Sequence, residues 1–109
     1  MSADLPHVIE AYFEASNLAN PERLADLFAA TGEVRDEAEI HRGREAIAAW
    51  ARNSHARYAM QTEPVDIVPD ADVEVVTARV TGTFPGSPLD LTHRFTVMED
   101  GIRLLEIGA

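Results

Sequence analysis

The chain has no cysteine, which excludes disulfide bonds and thiolate metal sites. Basic residues are also scarce: nine Lys and Arg stand against 19 Asp and Glu, for a formal net charge of −10. Because so acidic a surface repels phosphate backbones and anionic lipid, we expect neither a nucleic-acid partner nor a membrane partner. No apolar run is long enough to span a bilayer, and Met1–Pro6 lacks the basic and apolar regions of a signal peptide. The composition therefore predicts a cytoplasmic protein.

The first half of the chain predicts three helices. Residues 5–17 carry apolar side chains at helical spacing, with Asp4 as a candidate N-cap. The dipeptide Asn20–Pro21 is typical of a helix start, so a second, short helix is expected after it. A short strand near 32–37 and a turn come next, and the third helix is expected from about 44 to 55.

The second half predicts four longer strands in a meander, at 58–68, 73–84, 89–98 and 102–107. Proline cannot donate a hydrogen bond to a sheet, so we expect an irregularity at Glu63–Pro64. A change of apolar phase predicts a bulge or bend at Val75–Val76. Helices followed by a run of strands favour a single α+β domain over residues 1–109, with the helices on one face of an antiparallel sheet.

Three polar side chains interrupt positions that should face the core. Tyr12 lies on the inward stripe of the first helix, Asp36 shares a side of its strand with Val34, and His93 lies beside Phe95 on an apolar strand face. Each has an ordinary explanation: a core tyrosine with one hydrogen bond, a solvated aspartate among acidic neighbours, and a buried histidine. Because they come from three separate elements directed at one interior, we also predict that they line a common pocket.

The segments Ala11–Asn17, Leu24–Phe28, Val34–Asp36 and Gly43–Ile47 resemble the nuclear-transport-factor-2-like superfamily. The resemblance is strongest to its SnoaL-like branch, which includes polyketide cyclases and is similar to ketosteroid isomerase, and it covers essentially the whole chain. It implies a cone-shaped, cystatin-like roll, in which three helices pack on a strongly curved, mainly antiparallel sheet that encloses one pocket. It also implies a homodimer formed through the outer face of the sheet.

The resemblance to ketosteroid isomerase implies roles for individual residues. Tyr12 corresponds to its oxyanion-hole tyrosine, Asp36 to the aspartate base that shuttles a proton, and His93 to its second, protonated acid. These three are the candidate catalytic residues. The candidate ligand-binding residues are an aromatic wall position and three apolar inward positions: Trp50, Phe13, Val34 and Phe95.

The sequence departs from the isomerases at this site. The second acid is a histidine, Glu37 stands where the isomerases have proline, and only 6% of residues are aromatic, which argues against a steroid-sized apolar slot. Scytalone dehydratase and several cyclases of the superfamily use Asp and His, so acid–base chemistry stays open. His41 and His55 flank the third helix, either as exposed loop residues or at the pocket mouth.

Two functions are compatible with these residues. In the first, Tyr12 and His93 hold a carbonyl oxygen while Asp36 removes the α-proton, and the enolate leads to isomerisation, cyclisation or dehydration. Burial should raise the Asp36 pKa, and a protonated His93 should lower it. Too few ligands converge for a metal, so an enzyme of this kind would be a cofactor-independent isomerase or lyase. In the second, the domain is a non-catalytic module that binds a small molecule or serves dimerisation, since fold does not determine function.

Overall fold

The structure, a computed structural model, describes residues 5–108. The three helices are α1 (His7–Asn17), α2 (Pro21–Asp26) and α3 (Arg44–Tyr58). The strands are β1 (Phe28–Asp36), β2 (Glu39–Arg42), β3 (Gln61–Asp70), β4 (Val73–Thr81), β5 (Leu89–Met98) and β6 (Gly101–Gly108). The predicted Asp4 cap lies outside the described residues, and Pro6 occupies the N-cap position of α1. No described helix combines the length and apolar character that a membrane crossing requires.

Local sequence signals explain where α2 begins and where α3 ends. Asn20 Oδ1 accepts a hydrogen bond from the backbone N–H of Arg23 at 3.2 Å, and Pro21 fills the first position of α2, as predicted. α3 runs past its predicted end at residue 55 and stops at Tyr58, where Ala59 adopts a left-handed backbone conformation. This extra turn lengthens the wall that α3 presents to the interior.

The described strands form one mixed sheet in the order β2–β1–β6–β5–β4–β3. All neighbouring pairs are antiparallel except β1 and β6, which run parallel. The parallel pair is possible because α3 and the β3–β5 meander lie between these two strands in sequence. The strand β2, which was not predicted as a strand, pairs with β1 at the edge of the sheet. The sheet is curved and does not close, and the mainly antiparallel α+β fold is confirmed.

One predicted irregularity is present and the other is absent. The register between β3 and β4 shifts after Pro64, where the proline was expected to interrupt the pairing. Of the bulge or bend predicted at Val75–Val76, the bulge is absent, since β4 stays in unbroken register with β5. Val76 faces the core opposite His93, whereas Val75 lies on the outer face opposite Arg94. The two adjacent valines therefore lie on opposite faces of the sheet. In the sequence, two apolar residues in succession look like a change in the phase of the apolar alternation.

The helices cover the inner face of the sheet, and the core lies between them. Its fully buried side chains come from every helix and from four strands; among them are Ile9, Leu24, Ile47, Phe28, Val34, Val76, Phe95 and Leu105. Gly82 fixes one end of this arrangement, because a Cβ there would lie 2.5 Å from the carbonyl oxygen of Tyr58. Thr83 donates its backbone N–H to that same oxygen at 2.8 Å. The chain after β4 is thereby held against the end of α3.

Candidate functional site

A cavity of about 720 Å³ opens between the helices and the inner face of the sheet. Small-molecule pockets typically enclose roughly 300–1,000 Å³, so a compact organic ligand fits this space. Most of the lining is apolar, and its larger apolar members are Leu24, Tyr58, Met60, Phe84, Leu89 and Leu91. Among its polar lining residues, Tyr12, Asp36 and His93 each come from a different element.

Tyr12 comes from the inward face of α1 and is only 3% exposed. Its ring packs edge-on against Phe13, Phe28 and Phe95, and the residue lines the cavity. Burial raises the pKa of Tyr12 far above its ordinary value, and the negative charge of Asp36 adds to the shift. The hydroxyl therefore keeps its proton and can donate a hydrogen bond to a ligand.

Asp36 is the last residue of β1, on the same side as Val34, and its side chain lines the cavity. The indole Nε1 of Trp50 donates to Asp36 Oδ2 at 3.1 Å. Burial raises the pKa of Asp36; the Trp50 hydrogen bond opposes this, the Glu37 charge adds to it, and the His41 charge opposes it. The net upward shift makes the carboxylate a stronger base than one in open water.

His93 lies in the middle of β5, between Val76 of β4 and Ile107 of β6, and is 4% exposed. Its ring stacks on Phe95 with an interplanar angle of 18°. Burial lowers the pKa of His93 to about 4, and the Leu91 backbone opposes this only in part, so the imidazole is neutral near pH 7. Nδ1 is buried and has no hydrogen-bond partner among the described residues.

The electrostatics of the site differ from the expectation in one respect. A protonated His93 was expected to lower the Asp36 pKa, but His93 is neutral and the histidine that acts on Asp36 is His41. The ring of His41 packs on Trp50, with centroids 6.1 Å apart and planes tilted by 35°. Sequence reasoning missed this role because β2, which carries His41, was not predicted as a strand.

The cavity brings together four of the predicted site residues: Tyr12, Asp36, Trp50 and His93. The other three, Phe13, Val34 and Phe95, pack in the core, and none of them lines the cavity. Val34 lies two residues from Asp36, and Phe95 lies two residues from His93, each on the same face of its strand. This spacing places Val34 and Phe95 about 6–7 Å deeper in the core than the cavity residues. Phe13 follows Tyr12 on α1, so it is turned roughly 100° away from it.

Part of the lining could not be predicted. The rings of Tyr58 and Phe84 meet edge to face with centroids 5.9 Å apart, and the Arg57 guanidinium lies 4.9 Å from the Tyr58 ring centroid. This contact depends on the close approach at Gly82, for which the sequence holds no periodic signal. His55, for which a loop and the pocket mouth were alternatives, lies on α3 and lines the cavity. Within residues 5–108, no three His, Asp or Glu side chains are grouped closely enough to hold a metal ion.

Comparisons with known proteins agree with this architecture. The chain is similar to a solved structure of a proposed polyketide cyclase from Sinorhizobium meliloti, with 36% identity over 95% of each chain and a TM-score of 0.91. It shares its fold with a protein of ketosteroid isomerase-like fold from Catenulispora acidiphila, solved in complex with trimethylamine, at 22% identity over 97% of this chain and 87% of that one, TM-score 0.85.

A cystatin-fold protein from Novosphingobium aromaticivorans also has this fold, at 16% identity over 94% of this chain and 95% of that one, with a TM-score of 0.77. No curated protein matches the chain at a significant level. The SnoaL-like domain family matches residues 9–106, which span all three helices and reach into the last strand. The predicted resemblance is confirmed, and the chain belongs to the SnoaL-like domain family.

Proposed function

We propose that the cavity binds a small carbonyl compound and that Asp36 removes its α-proton while Tyr12 and His93 hold the enolate oxygen. The observation that carries this proposal is the convergence of Tyr12, Asp36 and His93, from α1, β1 and β5, on one mostly apolar cavity. The name of the Sinorhizobium relative, a proposed polyketide cyclase, is consistent with enolate chemistry of this class.

Each group is in the protonation state that the step needs. Asp36 is a carboxylate with a raised pKa, Tyr12 keeps its proton, and His93 is a neutral imidazole. Hydrogen-bond donors that are already in place stabilise a developing oxyanion more strongly in an apolar cavity than in water. The proton taken by Asp36 then returns to another carbon in an isomerisation, protonates the new alkoxide in a cyclisation, or leaves with hydroxide as water in a dehydration.

Exchange of α-protons for solvent deuterium tests the base without knowledge of the natural substrate. We expect the parent protein to accelerate exchange in members of a panel of cyclic enones and β-diketones, followed by proton NMR. Asp36→Asn should reduce that rate roughly 100- to 10,000-fold, the range that a general base contributes. Glu99→Gln, which removes an exposed carboxylate in the turn between β5 and β6 that does not line the cavity, is the matched control. Exchange that survives in Asp36→Asn would show that another group is the base.

A second candidate function is the non-catalytic capture of a small organic cation. Asp36 and Glu37 bring carboxylates to the cavity, and Tyr12 and Trp50 bring aromatic rings, which is the chemistry that attracts alkylammonium groups. The Catenulispora protein, solved with trimethylamine, is consistent with this alternative. Calorimetric titration with trimethylamine separates the two candidates: binding that weakens in Asp36→Asn and in Trp50→Phe, without proton exchange in the parent, favours capture.

We propose further that the outer face of the sheet joins two copies of the chain. Val68 of β3 lies directly opposite Val75 of β4 on that face and is 52% exposed, and Leu104 of β6 lies on the same face, half-buried. Light scattering during size exclusion should give a dimer mass for the parent and a monomer mass for Val75→Glu. A monomeric parent would refute this.

A cytoplasmic location and the lack of a nucleic-acid partner stay predictions, which cell fractionation and binding assays at known salt would test.

A further inference from the structure

Three side chains are in contact where β1 ends, beside the cavity. Asp36 accepts a hydrogen bond from Trp50 Nε1 at 3.1 Å, and His41 packs on the other side of the contact, against the indole, at 6.1 Å between centroids. The hairpin of β1 and β2 fixes their spacing, because His41 pairs with Val34, two residues before Asp36. The three side chains thus come from β1, α3 and β2, and we call them the His41–Trp50–Asp36 cluster.

We propose that Trp50 and His41 are positioning residues for Asp36: the indole N–H fixes Oδ2 and leaves Oδ1 for the ligand, while the His41 ring backs the indole. A carboxylate held by one oxygen presents the other in a fixed direction, which is what a base needs to reach one particular proton. The catalytic part of this inference rests on the function proposed above. The geometry itself needs no substrate, so it can be tested separately.

The charges around Asp36 are divided between groups that favour its anion and groups that oppose it. Glu37, the next residue, opposes the anion with its own charge, although its backbone favours it, and Glu39 lies opposite Asp36 in the β1–β2 register. Trp50 and His41 are the side chains that stabilise the anion. The remaining ionisable groups that line the cavity are Tyr12 on α1, Arg52, His55 and Tyr58 on α3, and His93 on β5.

Two of the basic groups near this end are engaged elsewhere. Arg52 forms an ion pair with Glu22 of α2, and Arg35 lies on the outer face, where it pairs with Glu33. Neither is among the groups that shift the Asp36 pKa most. The indole N–H and the His41 imidazole are therefore the groups whose removal should be felt by the carboxylate, through a higher pKa and a less fixed orientation.

Carbon-13 NMR titration of the Asp36 carboxyl group tests the cluster in the whole chain. Trp50→Phe keeps an aromatic ring and loses the N–H, and His41→Phe keeps the stacked ring and loses the charge, so each should raise the pKa of Asp36 above its parent value. His55→Gln removes a cavity-lining histidine that does not act on Asp36, and it should leave that pKa in place. A pKa of Asp36 that stays or falls in either aromatic variant would overturn the inference.

Fluorescence supplies a second measurement that does not depend on the Trp50 variant folding. Trp50 is the only tryptophan in the chain, so its emission reports the cluster directly. Asp36→Asn should remove a pH-dependent step from the emission of the otherwise unchanged protein. An identical emission titration in the parent and in Asp36→Asn would contradict the contact. Neither measurement uses a substrate, so their failure is distinct from a lack of proton exchange.

In a parent protein that catalyses exchange, His41→Phe should also move the acid limb of the rate profile to higher pH, because Asp36 then ionises later. The variant should lose activity mainly through a lower kcat, and its KM should change little, because the imidazole does not line the cavity. His41→Gln, which also removes the charge, should move the limb in the same direction. An acid limb at the same pH as in the parent, in both variants, would contradict the positioning role of His41.

Discussion

The buried imidazole of His93 should weaken the fold, and its replacement should show by how much. Its Nδ1 has no partner among the described residues, and a buried polar atom left unpaired costs about 1–3 kcal/mol. Leucine has a similar volume and suits a face that also carries Val76 and Phe95. After an allowance for imperfect packing, His93→Leu should raise the free energy of unfolding by about 1 kcal/mol, which corresponds to an increase in Tm of roughly 4–8 °C.

The same substitution should change how stability depends on pH. The pKa of His93 falls from 6.5 to about 4 on folding, so the unfolded chain binds the proton more readily between these values. His93 therefore lowers the free energy of unfolding progressively as the pH falls from 6.5 to about 4, and this effect stays constant below that range. Between about pH 7.5 and pH 5.5, the parent should lose roughly 1.3 kcal/mol more than His93→Leu does.

Urea denaturation at both pH values, followed by Trp50 fluorescence and by circular dichroism, measures both effects. His7→Gln removes an exposed histidine of α1 outside the cavity and should follow the parent at each pH. The reasoning is refuted if His93→Leu is less stable than the parent near neutral pH, or if the two proteins lose stability in parallel as the pH falls. A more stable His93→Leu that no longer supports proton exchange would show that the histidine is kept for function.

Two further substitutions test how the site is held. Gly82→Ala would place a Cβ 2.5 Å from the Tyr58 carbonyl oxygen, so it should cost about 1–3 kcal/mol of stability and displace the Phe84 wall, whereas Gly108→Ala meets no atom within 4 Å and should be nearly neutral. Asn17→Ala removes two hydrogen bonds to the Thr62 backbone, at 2.7 and 2.8 Å, and should cost roughly 2–3 kcal/mol because both backbone groups lose their side-chain partner. Urea denaturation measures both, and a stability equal to that of the parent would contradict the corresponding contact.

Most of the fold could be predicted because its longer elements have clear periodicities. The strand at 89–98 has the predicted bounds, since its side chains alternate without interruption between the two faces of the sheet. β2 could not be predicted in the same way, because four residues are too few for a periodic signal and two of them are charged. Its existence depends on the pairing with β1, which only the folded chain reveals.

The site was predictable to the extent that polar residues break an apolar pattern. Tyr12, Asp36 and His93 did so, and the structure places all three at one cavity. The depth of a residue along a strand leaves no such mark, which is why Val34 and Phe95 were expected in the lining although they lie in the core. Alternation identifies the face on which a side chain lies but not its distance from the cavity.

The most direct test of the central claim is to map where a small carbonyl ligand contacts the protein. NMR titration of the isotope-labelled chain with a cyclic enone that undergoes exchange should shift the signals of Tyr12, Asp36 and His93 together, with the Trp50 indole N–H. We expect these shifts to saturate at one common ligand concentration, as one site requires. Shifts confined to the outer face of the sheet, or shifts at the cavity that leave Asp36 untouched, would contradict the account.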